Sequence, residues 1–300
     1  MNDDTINREK KHTTTPVGDP VLLPIFPTIH YPDYEEALGM IVEMAKYHKM
    51  CRIIGHPGSG KTTLLLDYKS KNENAVMLTP SRSCTDKDVL KMLGSQIGFF
   101  VGTTDSTQKA IDGLITYLNT CGRDTVFLID EADNLCSHDH KIVKNISKLE
   151  TLRHIHDHTK LHTSFIFAAP YDLEVRLQHS SESITSSQFY RRCSIQALSG
   201  ISETGGKELL ERIEADFRVS FSSSAKLMLV QRMLMVERGG LGIVLEALEK
   251  CMMFTLPQWH SYYRAIELSV PRSEALDIFK GCATVQISEA LVADAFEKSR

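Results

Sequence analysis

The run at residues 55–62 constrains this chain more than any other feature of its sequence. It reads Gly-His-Pro-Gly-Ser-Gly-Lys-Thr, which satisfies the spacing G-x-x-x-x-G-K-[ST]. Glycines permit backbone conformations in which successive N–H groups point at phosphate oxygens, and a following helix presents its positive end to the same anion. An apolar stretch at 50–54 precedes the run, and a helical pattern at 62–68 follows it. This context predicts a phosphate-binding loop between a strand and a helix.

The lysine and the threonine of this motif carry its chemistry. Lys61 would reach the β- and γ-phosphates of a nucleotide, and the Thr62 hydroxyl would ligate magnesium. We therefore expect ATP and Mg²⁺ as cofactors. The residues expected to hold the nucleotide are Gly55, His56, Pro57, Gly58, Ser59, Gly60, Lys61, Thr62 and Thr63.

Two adjacent carboxylates end a second apolar stretch. Residues 125–130 read Thr-Val-Phe-Leu-Ile-Asp, and Glu131 follows. In phosphate-loop enzymes an aspartate at such a strand end holds magnesium, usually through water. An adjacent glutamate can polarise the attacking water as a general base. We predict that Asp130 serves the metal together with Thr62, and that Asp130 and Glu131 are catalytic.

Length and composition are those of an ordinary globular protein with one large and one smaller domain. The chain has 300 residues, of which 42% are hydrophobic and 24% charged, and its net charge is −4. Mild acidity neither requires nor excludes a nucleic-acid partner, because a basic surface can form locally. The seven cysteines are scattered without a C-x-x-C pair, which argues against a disulfide framework or a zinc knuckle. With no apolar run of about 18 residues, we expect a reduced, cytoplasmic protein without a membrane partner.

Strand-like and helical patterns alternate along the chain as far as residue 200, which predicts a parallel sheet with helices on its faces. From residue 203 onward helical periodicity dominates. The proline-rich stretch 21–34 is expected to lie extended on the domain surface. The predicted strands are 50–54, 75–78, 125–130, 164–168 and 193–197. The predicted divisions are a disordered tail at 1–20, an α/β nucleotide-binding domain at 21–200, and a helical lid with a C-terminal extension at 201–300.

This arrangement resembles the AAA+ ATPases, which combine a phosphate loop, an Asp-Glu-Ala-Asp sequence as at 130–133, and a helical lid. Within that class the chain is most similar to the DNA-transposition ATPases MuB, TnsC and TniB. The resemblance spans roughly residues 30–250. It implies an α/β fold, namely an AAA+ P-loop domain with a parallel sheet flanked by helices and a small C-terminal helical lid. The segments that carry it are YPDYEEALGMI, GHPGSGKTT, VMLTPSRSCTDKDVLKML, VFLIDEADNL, QFYRRC and GGLGIVLEALEKC.

The resemblance also implies a function. Such an ATPase assembles into rings or helical filaments on duplex DNA through sequence-independent contacts to the DNA backbone. It selects target sites and recruits or activates a transposase, with a target-selection protein as a further partner. Arg191 or Arg192 falls where the family places an arginine finger, which reaches the nucleotide of a neighbouring subunit. The positions that match the DNA-facing loops are Arg82, Lys87, Thr103 and Thr104.

Two positions depart from the family pattern. The fourth strand ends at Pro170, where a polar sensor of the γ-phosphate is usual, and Ile243 stands where a lid arginine commonly follows the glycines. These departures imply hydrolysis that is slow or stimulated by a partner.

Two other functions remain open from the sequence. One is a nucleotide-switched signalling or defence ATPase related to the STAND class, which binds proteins and no DNA. The other is a replication-initiator or helicase-loader ATPase. The role of residues 256–300 is also open.

Overall fold

The computed structural model describes residues 25–136, 147–180, 186–235, 237 and 240–298. The predicted tail at 1–20 therefore lies outside the described residues. Within the described chain, no helix is both long and apolar enough to cross a membrane.

A five-stranded parallel sheet forms the centre of the fold. Its strand order is β2-β3-β4-β1-β5, and every neighbouring pair is parallel. The three inner strands are buried along their whole length, because helices cover both faces of the sheet. All five strands match the sequence prediction to within one residue at each end. Their bounds are Met50–Gly55 for β1, Ala75–Leu78 for β2, Thr125–Ile129 for β3, Thr163–Ala169 for β4 and Cys193–Leu198 for β5.

Helices pack on both faces of the sheet, and the sheet divides the hydrophobic core in two. Alternate residues of each strand point to opposite faces, so Ile53 joins one hydrophobic cluster while Phe165 and Phe167 join the other. The helices of this part are Pro32–Lys46 for α1, Lys61–Lys71 for α2, Asp86–Ile97 for α3, Thr107–Cys121 for α4, Ser147–Thr159 for α5, Asp172–Ser180 for α6 and Ser186–Arg192 for α7.

An ion pair is buried in the core beside β1. Arg52 lies within the strand with 1% of its surface exposed, and its Nε is 2.9 Å from Oε1 of Glu174 on α6. The contact is an ion pair without hydrogen-bond geometry. Burial raises the pKa of Glu174, and the charge of Arg52 opposes that shift. The guanidinium also lies 4.6 Å from the ring centre of Tyr190, so that one side chain links β1 to α6 and α7.

The lid comprises the elements that follow β5, and it contains a small sheet that the sequence analysis did not predict. Strand β6 (Val219–Phe221) pairs in parallel with β7 (Val285–Ile287). Strands of three residues are too short to show an alternating pattern, which explains the omission. The lid helices are Glu203–Phe217 for α8, Ser223–Met233 for α9, Gly240–Thr255 for α10, Trp259–Glu267 for α11, Arg272–Ala275 for α12 and Glu289–Lys298 for α13.

The C-terminal residues complete this lid. Helix α13 packs against α9 and α10. Trp259 and Tyr262 are buried beside Phe217 and Phe279. Three ring contacts join the two pairs, with ring centres 5.2 to 5.6 Å apart. Residues 256–298 therefore belong to the lid and contribute to its core.

The N-terminal strap, residues 25–31, is partly exposed, as expected for a surface segment, but it buries Phe26, Ile29 and Tyr31. Phe26 packs against Phe217 and Trp259 of the lid, at ring distances of 5.8 and 6.0 Å. The hydroxyl of Tyr262 donates a hydrogen bond to the carbonyl of Ile25 at 2.5 Å. The apolar side chains of the strap turn inward because the lid offers them a hydrophobic surface that the local sequence does not reveal.

Candidate nucleotide-binding site

The phosphate loop, residues 55–62, connects β1 to α2 as predicted. Gly58 and Gly60 have φ of +75° and +91°, in the left-handed region that favours glycine. A Cβ on Gly55 would lie 2.5 Å from Oγ of Ser59 and 2.7 Å from the carbonyl of Leu198. The glycine positions of the motif are thus required by the backbone path and by close packing against β5.

The ammonium of Lys61 lies across the mouth of this loop. Its Nζ donates to the carbonyls of Gly55 and His56, at 2.8 Å each. Burial lowers the pKa of Lys61, and the nearby carboxylates of Asp130 and Asp133 oppose the shift. The lysine is therefore positioned by backbone groups beside the acidic end of β3.

The two predicted metal ligands are brought together. The Thr62 hydroxyl, in the first turn of α2, donates to Oδ2 of Asp130 at 2.8 Å. Oδ1 of Asp130 accepts from the backbone N–H of Glu131 at 3.0 Å. A hydroxyl and a carboxylate from separate elements form the hard oxygen set that Mg²⁺ prefers. These residues fit the metal that the motif implies.

Glu131 lies directly after β3 in a constrained backbone conformation. Its φ of +48° is in the left-handed region, which is unusual for a residue with a side chain. Its Oε2 accepts from the side-chain amide of Asn134 at 3.0 Å, and the same nitrogen donates to the carbonyl of Pro80, also at 3.0 Å. Asn134 thus orients the predicted base. Asn134 was not among the predicted site residues, although its place three residues after Glu131 is visible in the sequence.

The buried Ser59 gives an independent indication of a ligand at the loop. Only 1% of its surface is exposed, and its Oγ has no hydrogen-bond partner among the described residues. A buried polar atom without a partner costs free energy. The Ser59 carbonyl, in contrast, accepts from the hydroxyl of Tyr31 at 2.6 Å. The strap therefore contacts the phosphate loop directly.

A cavity of about 380 Å³ lies between the strap, the phosphate loop and the lid. We call it the nucleoside cavity. Helix α10 closes it, because a Cβ on Gly242 would lie 3.1 Å from Cα of Gly58. The cavity is lined mainly by apolar groups, as ligand pockets usually are. Its lining includes Ile25, Phe26, Ile29, Leu209, Leu245 and Glu249.

Tyr171 is a further residue at this edge of the sheet that the sequence did not single out. In the register of β1 with β4, Ile54 lies opposite Ala169. His56 and Tyr171 each follow this pair by two residues, and their ring centres lie 4.8 Å apart. An aromatic pair therefore flanks the phosphate loop beside Pro170, the position that lacks a polar side chain.

The predicted arginine-finger residues lie far from the loop of their own subunit. Arg192 immediately precedes Cys193, which pairs with Met50 at the start of β1, whereas the phosphate loop follows the end of β1. The length of β1 from Met50 to Gly55, which separates Arg192 from the phosphate loop, is about 17 Å at 3.3 Å per residue. Arg192 forms an ion pair with Asp157, and Arg191 is exposed. Neither residue is placed to act on its own subunit's nucleotide.

The four predicted DNA-contacting residues lie in the loop before α3, in the first turn of α3 and in the loop that follows α3. Nζ of Lys87 donates to the carbonyl of Thr103 at 2.6 Å and to that of Asp105 at 2.5 Å. Arg82, Thr103 and Thr104 are exposed. The ammonium of Lys87 thus stabilises the loop between α3 and α4, while the Arg82 side chain reaches solvent.

Comparisons with known proteins agree with this geometry. A family model described as AAA domain matches residues 44–177. No curated protein matches the chain. The ORC2 protein of Aeropyrum pernix, solved in ADPNP–ADP complexes, is similar with a TM-score of 0.63 at 14% identity, over 95% of this chain and 72% of that chain. Cdc6p of Pyrobaculum aerophilum is similar with a TM-score of 0.58 at 13% identity, over 94% of this chain and 90% of that chain.

At such low identity these likenesses report the fold. The strand order of the central sheet, the phosphate loop after β1 and the helices that follow β5 all agree with it. The chain has the AAA+ P-loop fold, with a C-terminal helical lid and an AAA domain match over residues 44–177.

Proposed function

We propose that this chain is a magnesium-dependent ATPase whose nucleotide lies between the phosphate loop and the lid. The observation that carries the proposal is the 2.8 Å hydrogen bond from the Thr62 hydroxyl to Asp130. It joins two oxygen ligands from separate elements beside the ammonium of Lys61. The orphaned hydroxyl of Ser59 and the nucleoside cavity support the same ligand.

Each residue has a definite task in this proposal. The loop N–H groups and Lys61 bind the β- and γ-phosphates, and Thr62 with Asp130 holds the metal, which neutralises charge on the phosphate oxygens. Glu131, oriented by Asn134, accepts a proton from the attacking water. Pro170 and Ile243 supply no hydrogen-bond donor from their side chains, so we expect slow or partner-stimulated turnover.

Nucleotide binding and hydrolysis test the proposal separately. Lys61→Ala is expected to abolish ATP binding, whereas Lys71→Ala, at the exposed end of the same helix, leaves it intact. Glu131→Gln is expected to bind ATP normally and to hydrolyse it at least 100-fold more slowly, as for loss of a general base. Affinity is measured by fluorescent-nucleotide titration and turnover by phosphate release. Equal turnover by Glu131→Gln and the unmodified chain would refute the role of Glu131.

The finer proposal is that ATP drives assembly on duplex DNA, where the protein selects target sites and recruits or activates a transposase. Its support is the set of segments that resemble MuB, TnsC and TniB, together with the exposed side chain of Arg82 and the loop between α3 and α4 that Lys87 stabilises. The chain would contact the DNA backbone without regard to sequence.

A second candidate is a replication-initiator or helicase-loader ATPase. The similarity to ORC2 and Cdc6p over more than nine-tenths of this chain favours it. Both candidates use the same nucleotide chemistry, so only the behaviour on DNA separates them.

Negative-stain microscopy of the protein with a non-hydrolysable ATP analogue, with and without duplex DNA, distinguishes these candidates. Rings or filaments on any duplex support the transposition function. Binding restricted to particular sequences supports the initiator function. Monomers that ignore DNA in every nucleotide state contradict both and leave a nucleotide switch that binds proteins.

A further inference from the structure

One face of α10 runs along the nucleoside cavity. Gly242, Leu245, Glu246 and Glu249 line it, and their spacing of three or four residues places them on one side of a helix. Gly242 abuts Gly58 of the phosphate loop. Glu249 is seven residues further on, which is about 10 Å along the helix axis. Glu249 therefore lines the end of the cavity remote from the phosphate loop.

Most polar side chains near this cavity already have partners. The hydroxyl of Tyr31 donates to the carbonyl of Ser59. The carboxylate of Glu246 is 2.9 Å from Nζ of Lys250, and half of its side chain is exposed. Glu249 differs from both, because it is partly buried and has no hydrogen-bond or ion-pair partner among the described residues.

The surroundings of Glu249 penalise an unpaired charge. Burial and the neighbouring Glu246 raise its pKa, and Lys250 only partly opposes the shift. A carboxylate kept in an apolar cavity gains most from a ligand that brings a hydrogen-bond donor. The end of a purine nucleotide most distant from its phosphates is the base, and in adenine this edge carries an amino group.

We propose that Glu249 selects the base, because its carboxylate accepts a hydrogen bond from the exocyclic amino group of adenine. This inference rests on the proposed ATP binding. The apolar walls formed by Phe26, Ile29 and Leu209 hold the ring by contact area, which is the same for any purine. Discrimination among purines then depends on Glu249.

The test compares the affinities of the full chain for three triphosphates. These are ATP, the purine riboside analogue with hydrogen in place of the amino group, and inosine triphosphate, which has a carbonyl there. The unmodified chain is expected to prefer ATP over the purine riboside analogue about tenfold, the effect of one hydrogen bond to a charged group. Glu249→Ala should lower that ratio to about one. Glu267→Ala, at the exposed end of α11 and outside the cavity lining, should leave it unchanged.

Glu249→Gln provides a result that poor folding cannot imitate. Its amide can donate to a carbonyl, so the affinity for inosine triphosphate should rise severalfold above that of the unmodified chain.

A contact between Glu249 and the ribose is the competing explanation, and 2′-deoxy-ATP tests it. If Glu249→Ala loses its preference for ATP over 2′-deoxy-ATP instead, the base assignment is overturned. An unchanged preference for ATP over the purine riboside analogue in Glu249→Ala also overturns it, while leaving the ATPase proposal intact. Failure of the unmodified chain to bind any of the nucleotides contradicts both.

Discussion

The side-chain amide of Asn134 donates to Oε2 of Glu131 at 3.0 Å and to the carbonyl of Pro80 at the same distance. Asn134 is itself buried, with 6% of its surface exposed. The amide thus fixes the carboxylate of Glu131 relative to the loop that follows β2. A general base is effective only when it is held in one orientation toward the water that it activates.

Replacing Asn134 should therefore impair hydrolysis more than binding. For Asn134→Ala we expect turnover to fall about tenfold, because the base is retained but misdirected, while ATP affinity changes less than twofold. Asn119→Ala, which removes an exposed amide bonded to the carbonyl of His158, is the matched control. If Asn134 acts through Glu131, adding Asn134→Ala to Glu131→Gln will produce no further loss of turnover.

Hydrolysis is expected to require a neighbouring subunit. Arg191 and Arg192 lie at the amino-terminal edge of the sheet, and the ion pair with Asp157 occupies Arg192. We therefore expect Arg191→Ala to lower turnover strongly and Arg192→Ala to lower it little. In a mixing experiment, Arg191→Ala subunits retain the phosphate loop and Lys61→Ala subunits retain the arginine. Mixtures should recover activity that neither protein has alone, whereas additive residual activities would show that Arg191 does not act in trans.

Arg82 is expected to contribute to DNA affinity without sequence preference. Its side chain is exposed, whereas the ammonium of Lys87 donates to two loop carbonyls. Arg82→Ala should weaken binding to all duplexes alike and reduce the slope of log affinity against log salt by about one. Lys87→Ala should weaken binding as well, but with increased exchange of amide hydrogens at residues 102–106. An effect of Arg82→Ala confined to certain sequences would contradict a contact to the DNA backbone.

The N-terminal strap is expected to link nucleotide affinity to stability. Tyr31→Phe removes the donor to the buried carbonyl of Ser59 and should lower the free energy of unfolding by about 1–3 kcal/mol. Because the strap also lines the nucleoside cavity, ATP affinity should fall severalfold. Tyr47→Phe, at the exposed end of α1, is the control. Denaturant unfolding and nucleotide titration give the two values, and unchanged ATP affinity would show that the strap does not support the site.

Local sequence predicted the elements that bear the phosphate site. Strands β1 and β3 and helix α2 lie where the residues indicated, because apolar runs and the glycine–lysine motif are local signals. The lid was less well predicted. The pairing of β6 with β7 joins residues more than 60 positions apart, and such pairing depends on contacts that a local pattern does not encode.

The phosphate loop and the acidic pair could be predicted from the residues alone, since glycine, lysine and carboxylate positions are set by the chemistry of phosphate and magnesium at fixed spacing. The groups that surround them depend on how the whole chain folds. No motif marks Asn134, which orients Glu131. Tyr31 comes to the site from the strap, Tyr171 from the turn after β4 and Glu249 from the lid. Such side chains meet because distant segments bury their apolar surface together, and that burial depends on the whole fold rather than on neighbouring residues.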